Sequence, residues 1–304
     1  MSFVSDFING ADNKFDHTSL NALQKVTLRA VVMAFLFYGL AAIEGMIMRT
    51  ASVIPSIPPV NGSPEHYFSI MTVHPIVGIF GSTYQLVFGA FMFLVPFLTK
   101  KPLYSVKLAN WVWLLITIGT ALSWIAAFAW NYAPLYTLYW PLPADTEQFK
   151  TIGGIVFILG VALIMLGTFG FIYNIYATIF AKVGVHQNKT MKELLISGFG
   201  IDGILNLWYK LTGRQPYTKE PALSLPVVAI FRGTVDTFLD ALIILGAGIL
   251  VLVYLFADLG GLSLDVKSVD ALLYKNWFWW GLDLVADGLV LIYVAGSWYL
   301  LATI

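Results

Sequence analysis

The stretch MTVHPIVGIFGSTYQLVFGAFMFLVPFLTKK, residues 71–101, decides how this chain folds, because so long an apolar run must be kept away from water. One imidazole, His74, lies near its start, and Leu94-Val95-Pro96 lies near its end. An ionisable ring inside a membrane span indicates a functional site, since burying a polar group in hydrocarbon is costly. The alternative is that His74 lies close enough to the first turn to cap the helix or to reach the interface.

The composition is that of an integral membrane protein. Of the 304 residues, 59% are hydrophobic and 11% are charged, whereas a soluble domain is about one quarter charged. The formal net charge is zero, and no basic patch is interleaved with aromatic residues, so we expect no nucleic-acid partner. The sequence has no cysteine, which excludes disulfides, thiolate metal sites and iron–sulfur clusters on this chain.

Several segments are long and apolar enough to cross a bilayer, which takes about 20 residues. We expect them to be helices, because open strands cannot satisfy their backbone groups in lipid. The six segments are residues 26–48, 69–98, 108–131, 152–181, 225–256 and 277–304. The sequence therefore predicts an all-α, polytopic membrane helix bundle of about six transmembrane helices. We expect residues 1–304 to form a single multi-pass domain in the cell (plasma or inner) membrane.

The basic residues predict how the bundle is oriented. Twelve Lys and Arg residues fall on the side that holds the N-terminal segment, against four on the other side, with Arg232 inside the fifth span. Because cytoplasmic loops are enriched in these residues, we expect an N-in/C-in topology. Residues 1–25 are then a cytoplasmic segment and residues 183–224 a cytoplasmic connection. Within that connection, KELLISGFGIDGILNLWYKL (residues 192–211) predicts one amphipathic interfacial helix, weakened by three glycines.

Two acidic residues in the last span could carry chemistry. Asp283 and Asp287 are four residues apart, so they share one helix face, at a depth similar to that of His74. They could form a carboxylate metal site, a proton relay or a pairing site for another chain. Alternatively both lie near the interface and are hydrated, since two carboxylates cannot both stay ionised in a dry site without a cation.

The fifth span contains Arg232, Asp236 and Asp240 at successive four-residue steps. Arg232 and Asp236 could form a structural pair that neutralises itself, or Asp236 and Asp240 could form a proton-entry path. Glu44 lies towards the outer side of the first span, where it could be a hydrated terminus residue. Three further histidines are expected to be surface residues: His17, His66 and His186.

Four motifs in sequence order resemble subunit I of the haem-copper oxygen reductases, the cytochrome c and quinol oxidases. The resemblance covers roughly residues 26–304 and the N-terminal six-helix half of that subunit. The motifs are His74 with Gly89 and Leu94-Val95-Pro96 in the second helix, Tyr136-Thr137-Leu138-Tyr139-Trp140-Pro141-Leu142 after the third, Gly167 with Phe171, Ile172 and Ile175 in the fourth, and Phe278-Trp279-Trp280 at the entry to the sixth. In the second motif, Trp140 replaces the first of two family prolines.

The resemblance implies that His74 is an axial ligand of a low-spin haem. It also exposes two departures from the family pattern. The family places its first copper ligand, a His, where this chain has Asp283. Where this chain has Asp287, the family has a Tyr in many members, or in the related nitric oxide reductases a Glu that helps hold non-haem iron. The oxidase site needs several imidazoles, and this chain offers one at a matching position.

We therefore expect a membrane subunit of a respiratory terminal oxidase complex, part of an oxidoreductase but not active alone. The resemblance implies a haem shared with a partner chain that supplies further transmembrane helices, with quinol or a cytochrome as electron donor. Copper is not expected on this chain alone. The last span runs to Ile304 without a polar tail, so we expect that end to be held by a partner or to belong to a larger unit.

Two alternatives stay open. The aspartates at the positions of metal-site residues favour a degenerate, non-catalytic scaffold or assembly subunit of such a complex. A proton-coupled transporter would instead use the four aspartates of the last two spans, Asp236, Asp240, Asp283 and Asp287. The sequence shows no inverted repeat and no matching pair of broken helices, which argues against a transporter.

Overall fold

The computed structural model describes residues 20–181 and 188–303, except for several side chains in the last helix. These residues contain no strand, and the prediction of an all-α chain is confirmed. The helices are α1 (Ala22–Ala51), α2 (Pro64–Thr99), α3 (Val106–Ala129), α4 (Thr151–Phe180), α5 (Met191–Gly198), α6 (Ile201–Leu211), α7 (Leu225–Leu259) and α8 (Ala271–Thr303). The connections also contain short 3-10 turns, of which those at Leu142–Ala144 and Val266–Ser268 are described.

Five of these helices are long and apolar enough to cross a membrane, among the residues that the structure describes: α1, α2, α3, α4 and α7. The sixth predicted span falls on α8, a helix of 33 residues. Several helices extend past the apolar runs because polar residues cap their backbone ends, as the Asn21 side chain does at the start of α1. The count of about six spans and the N-in/C-in topology stay predictions.

The long helix α2 is not regular along its length. It is α-helical over Pro64–Pro75, π-helical over Ile76–Tyr84 and α-helical again over Gln85–Thr99. The change begins directly after Pro75, which has no N–H and therefore interrupts the hydrogen-bond ladder at that point. The apolar pattern predicted an uninterrupted span, and π-helical turns inside such helices are frequent at functional sites.

The bundle core lies where α2, α4 and α7 meet. Phe88 of α2 stacks on Phe171 of α4, with ring centroids 3.9 Å apart and planes within 6° of parallel. α4 packs along α3 on one side and against α7 on the other, and α8 packs along α7. The α3–α4 contact is a backbone contact at Gly119 and Gly160, where a Cβ added to Gly119 would lie 2.5 Å from the Gly160 carbonyl oxygen.

The described part of the connection between α4 and α7, residues 188–224, contains two helices where the sequence predicted one. Gly200 separates α5 from α6 with a φ of +70°, a conformation that glycine adopts without steric cost. Thr190 and Glu193 form a reciprocal capping box at the start of α5. α6 is amphipathic and exposes apolar side chains, among them Leu207 and Trp208. Its place on the cytoplasmic membrane surface stays a prediction.

Lys101 holds the end of α4 against the end of α2. Its side chain is 4% exposed, and its Nζ donates to the carbonyl oxygens of Thr178, Ile179 and Ala181 at 3.3, 2.6 and 2.7 Å. The last carbonyls of a helix lack intrahelical partners, and a lysine there also complements the helix dipole. Burial lowers the pKa of Lys101 to about 8, so the ammonium is still the dominant form at neutral pH.

We expect Lys101→Met to destabilise the protein by about 2 kcal/mol, because it removes a charged donor from buried carbonyls. The apparent Tm in detergent should fall by about 4–8 °C at a fixed scan rate, followed by tryptophan fluorescence. Lys107→Met is the matched control, because Lys107 is exposed. Equal Tm values for the two variants would contradict the anchoring role of Lys101.

Candidate functional site

His74 is the next-to-last residue of the first α-helical section of α2, and its side chain is half-buried. Its Nδ1 lies 2.9 Å from the carbonyl oxygen of Ala41 in α1. A carbonyl oxygen can only accept, so Nδ1 must carry the hydrogen of this bond. The neutral ring then has its free lone pair on Nε2, the arrangement in which a second hydrogen bond orients a metal-binding histidine.

The ring approaches α1 closely because α1 has a glycine opposite it. A Cβ added to Gly45 would lie 3.3 Å from Cε1 of His74, tighter than most such contacts. Four residues further along α2, Gly78 faces Ala41, with an added Cβ 3.6 Å from the Ala41 Cβ. Small residues at a helix–helix contact let the backbones approach. The α1 face of Ala41 and Gly45 therefore fixes the position of the imidazole.

A cavity of about 590 Å³ opens beside His74, within the size range of small-molecule and cofactor sites. It is mostly apolar, and α1 contributes Arg49 to its lining. The α3–α4 connection closes another side with Tyr136 and Thr137. The Thr137 hydroxyl oxygen is buried and has no hydrogen-bond partner among the described residues.

The α3–α4 connection is held in place by polar contacts to two helices. The backbone N–H of Leu135 donates to the Thr72 hydroxyl in α2 at 3.1 Å. Trp279 Nε1 in α8 donates to the Tyr139 hydroxyl at 2.7 Å. Two of the motifs that carry the family resemblance, one after the third span and one in the sixth, are therefore in direct contact. Tyr136 and Thr137 of the first motif also share the cavity with His74.

Asp283 and Asp287 lie one turn apart on α8. Asp283 is exposed, and the side chain of Asp287 lies outside the described residues. Among the residues that are described, no group of three or more His, Cys, Asp or Glu side chains could hold a metal ion. His17 and His186 also lie outside them, and His66 is half-buried at the first turn of α2. The metal role of the two aspartates stays a prediction.

The acidic residues of α7 have different partners. Asp236 accepts from Arg232 Nη1 at 2.6 Å, and the Arg232 side chain is 46% exposed while that of Asp236 is 7% exposed. Asp240 lies one turn further on, is fully buried and accepts from the Tyr84 hydroxyl at 2.9 Å. The sequence interpretation of an Arg232–Asp236 pair therefore agrees with the geometry. The proton-entry path through Asp236 and Asp240 remains a hypothesis.

The interpretation of Glu44 as a hydrated terminus residue was wrong. Glu44 is 4% exposed, and its Oε1 accepts from Trp124 Nε1 of α3 at 2.7 Å. The helical spacing could have indicated this burial, since Ala41, Glu44 and Met48 lie at i, i+3 and i+7 on one face of α1. That face packs inward, so the carboxyl is inside the protein.

Comparison with known proteins identifies the family. Residues 25–304 match the family described as Cytochrome C and Quinol oxidase polypeptide I. A cytochrome c oxidase subunit 1 homolog of Agrobacterium tumefaciens (strain T37) is 32% identical over 176 residues, which cover 50% of this chain and 28% of the relative. The cytochrome c oxidase subunit 1 of Rhodobacter capsulatus is 32% identical over 171 residues, covering 50% of this chain and 29% of the relative.

A third relative, the cytochrome c oxidase subunit 1 homolog of Azorhizobium caulinodans, is 30% identical over 176 residues, which cover 53% of this chain and 29% of the relative. This chain therefore matches less than one third of the length of each of these relatives. The family match nevertheless extends over nearly the whole chain. The chain belongs to the cytochrome c and quinol oxidase polypeptide I family, the subunit I family of the haem-copper oxidases.

Proposed function

We propose that this chain is a subunit of a respiratory terminal oxidase complex and contributes His74 as one axial ligand of a haem. The observation that carries the proposal is the hydrogen bond from His74 Nδ1 to the Ala41 carbonyl. It leaves Nε2 as the free nitrogen of a side chain that lines a cavity. A ligand held in this way can set the position and the potential of a haem through ligation and burial.

The residues around the cavity fit such a group. The cavity is largely apolar, as a porphyrin face requires, and Arg49 could pair with a carboxylate substituent. The Thr137 hydroxyl is a further polar group without a partner among the described residues. A bound haem would supply one-electron redox chemistry. His74 would hold it and Ala41 would orient His74, while the aromatic connection around Tyr136 would exclude water.

A partner chain would complete the site. Among the described residues, the histidine that lines this cavity is His74. We propose that another subunit supplies a second axial ligand, together with the further transmembrane helices that the family resemblance implies. Quinol or a cytochrome would be the electron donor. The complex would reside in the cell (plasma or inner) membrane and would carry out an oxidase reaction for which this chain is insufficient alone.

A second candidate function is that of a degenerate scaffold or assembly subunit of such a complex. It is favoured by Asp283, which stands where the family has a copper ligand and is exposed here. A scaffold would need the α1–α2 packing around His74 but not the ring itself. The two functions therefore differ in what His74 does.

The first experiment is spectroscopy of the complex purified by a tag on this chain. We expect reduced-minus-oxidised absorption bands of haem, and an iron content that equals the haem content. The haem should co-migrate with this chain and its partners in size-exclusion chromatography. A complex that contains no haem would refute both the ligand role of His74 and membership of an oxidase complex.

A further inference from the structure

A buried carboxyl and a buried phenol meet between α2 and α7. Tyr84 donates its hydroxyl hydrogen to Asp240 Oδ2 at 2.9 Å, and both side chains are 0% exposed. Tyr84 is the last residue of the π-helical segment, and its ring contacts Phe80 and Phe88. The second carboxyl oxygen, Asp240 Oδ1, is buried and has no hydrogen-bond partner among the described residues. The site is therefore buried and aromatic, and the described residues satisfy only one oxygen of the carboxyl.

No cation accompanies Asp240 among the residues that the structure describes. Arg232, two turns earlier on α7, is engaged by Asp236 in the one salt bridge found there. An ionised carboxylate with one phenol donor and an unpaired oxygen would be costly in such a site, whereas the neutral acid brings no charge into it. The contacts fit a carboxyl that carries a proton on Oδ1.

The other titratable groups near Asp240 come from three helices. On α7, Asp236 lies one turn away on the same face. On α4, Tyr176 lies close to the Arg232–Asp236 pair. On α8, which packs along α7, Asp283 is exposed and the Asp287 side chain lies outside the described residues. Asp287 is therefore the group whose contribution an experiment must separate from that of Asp240.

We propose that Asp240 is a proton-binding site inside the bundle, with Tyr84 as its hydrogen-bond donor and Asp236 as the carboxyl through which protons reach it. Exposure falls along this route, since the side chain of Arg232 is 46% exposed, that of Asp236 is 7% exposed, and Asp240 is fully buried. In the binding step, the carboxylate accepts one proton at Oδ1 and becomes the neutral acid, no electron moves, and the Tyr84 O–H bond stays intact.

The use of this site rests on the proposed function, because a complex that moves electrons through a membrane needs groups that take up compensating protons. Its existence does not rest on the haem. The site binds its proton whether or not His74 holds a redox group, so the two proposals can fail separately.

The test is infrared difference spectroscopy of the purified complex at neutral pH after exchange from H₂O into D₂O. Protonated carboxyl groups give a C=O band that shifts on exchange, whereas carboxylates do not. We expect a component of this band to vanish in Asp240→Asn and to move to higher frequency in Tyr84→Phe, which removes the donor to Oδ2. Asp258→Asn is the matched control, since Asp258 is exposed and accepts from Thr146 and Thr151; it should leave the component unchanged.

Two outcomes would overturn the proposal. The component could persist in Asp240→Asn, or it could vanish instead in Asp287→Asn. If Asp240→Asn does not assemble, ¹³C-labelled aspartate is combined with Tyr84→Phe and with Asp287→Asn; the labelled component must move to higher frequency in Tyr84→Phe and persist in Asp287→Asn. The label must lower the frequency of the component, and an unshifted band would belong to a glutamic acid and refute the assignment. A complex without haem that retains the Asp240 component would refute the oxidase role alone.

Discussion

With His74 as the proposed axial ligand, a complex that carries His74→Ala is expected to lose one haem, while the other subunits remain associated. The ring contributes the free Nε2, and an alanine offers no ligand in its place. Changing only a residue that orients a metal ligand already costs about 10–100-fold in affinity, so removing the ligand should cost more. We expect the haem content per complex to fall by one equivalent and the corresponding reduced-minus-oxidised band to disappear.

The matched control is His66→Ala. His66 lies on the same helix, two turns before His74, and is not part of the cavity lining. Its removal should leave both the haem content and the absorption bands unchanged. If His74→Ala gives an assembled complex with full haem content and an unshifted band, the chain is a scaffold, and its resemblance to a haem-binding subunit reflects ancestry alone.

The apolar runs predicted the helices well, because a chain in lipid has no other way to satisfy its backbone groups. The interior of α2 was harder to predict. Its π-helical turns follow Pro75 and also pack against α1 and α3. At Gly81, an added Cβ would lie 2.7 Å from the Thr120 side chain in α3. A contact between residues 39 positions apart leaves no local pattern, so hydropathy alone indicated a regular helix.

The candidate site was predictable in part. The position of His74 came from the sequence, since an imidazole in an apolar run is conspicuous by composition alone. The hydrogen bond to Ala41 and the opposing Gly45 could not be foreseen, because they depend on how α1 and α2 face each other. Tyr84 was missed for the same reason. A tyrosine in a membrane span is unremarkable until the fold places Asp240 beside it.

The structural role of Lys101 could not be predicted from the sequence for a different reason. It was counted only as one of the basic residues that orient the bundle, and two lysines after an apolar run are an ordinary sign of a cytoplasmic end. Its burial against the last carbonyls of α4 requires that α2 and α4 end at the same level. The same residue thus carries a topological signal in the sequence and a capping role in the fold.

The largest effect on folding is expected for Gly160→Leu. A Cβ added to Gly160 would lie 2.5 Å from the Ser123 hydroxyl oxygen and 2.6 Å from the Gly119 carbonyl oxygen. Both obstacles belong to α3, and one of them is backbone, so rotamer changes cannot relieve the clash. Overpacking a core costs about 1–3 kcal/mol when side chains can move. Here the helices themselves must separate. We therefore expect Gly160→Leu to lower the free energy of unfolding by more than about 3 kcal/mol and to give almost no monodisperse protein in mild detergent.

Gly39→Leu is the matched control, because Gly39 is also inside a long apolar helix but an added Cβ meets nothing within 4 Å. Replacing a helix-interior glycine there should even favour the helix by up to about 1 kcal/mol. Gly160→Leu should therefore give a much lower size-exclusion yield and a much lower apparent Tm than Gly39→Leu. The milder Gly160→Ala should already lower the Tm, since the clash begins at Cβ. A Gly160→Ala variant with the yield and Tm of the unaltered protein would mean that α3 and α4 are not in backbone contact.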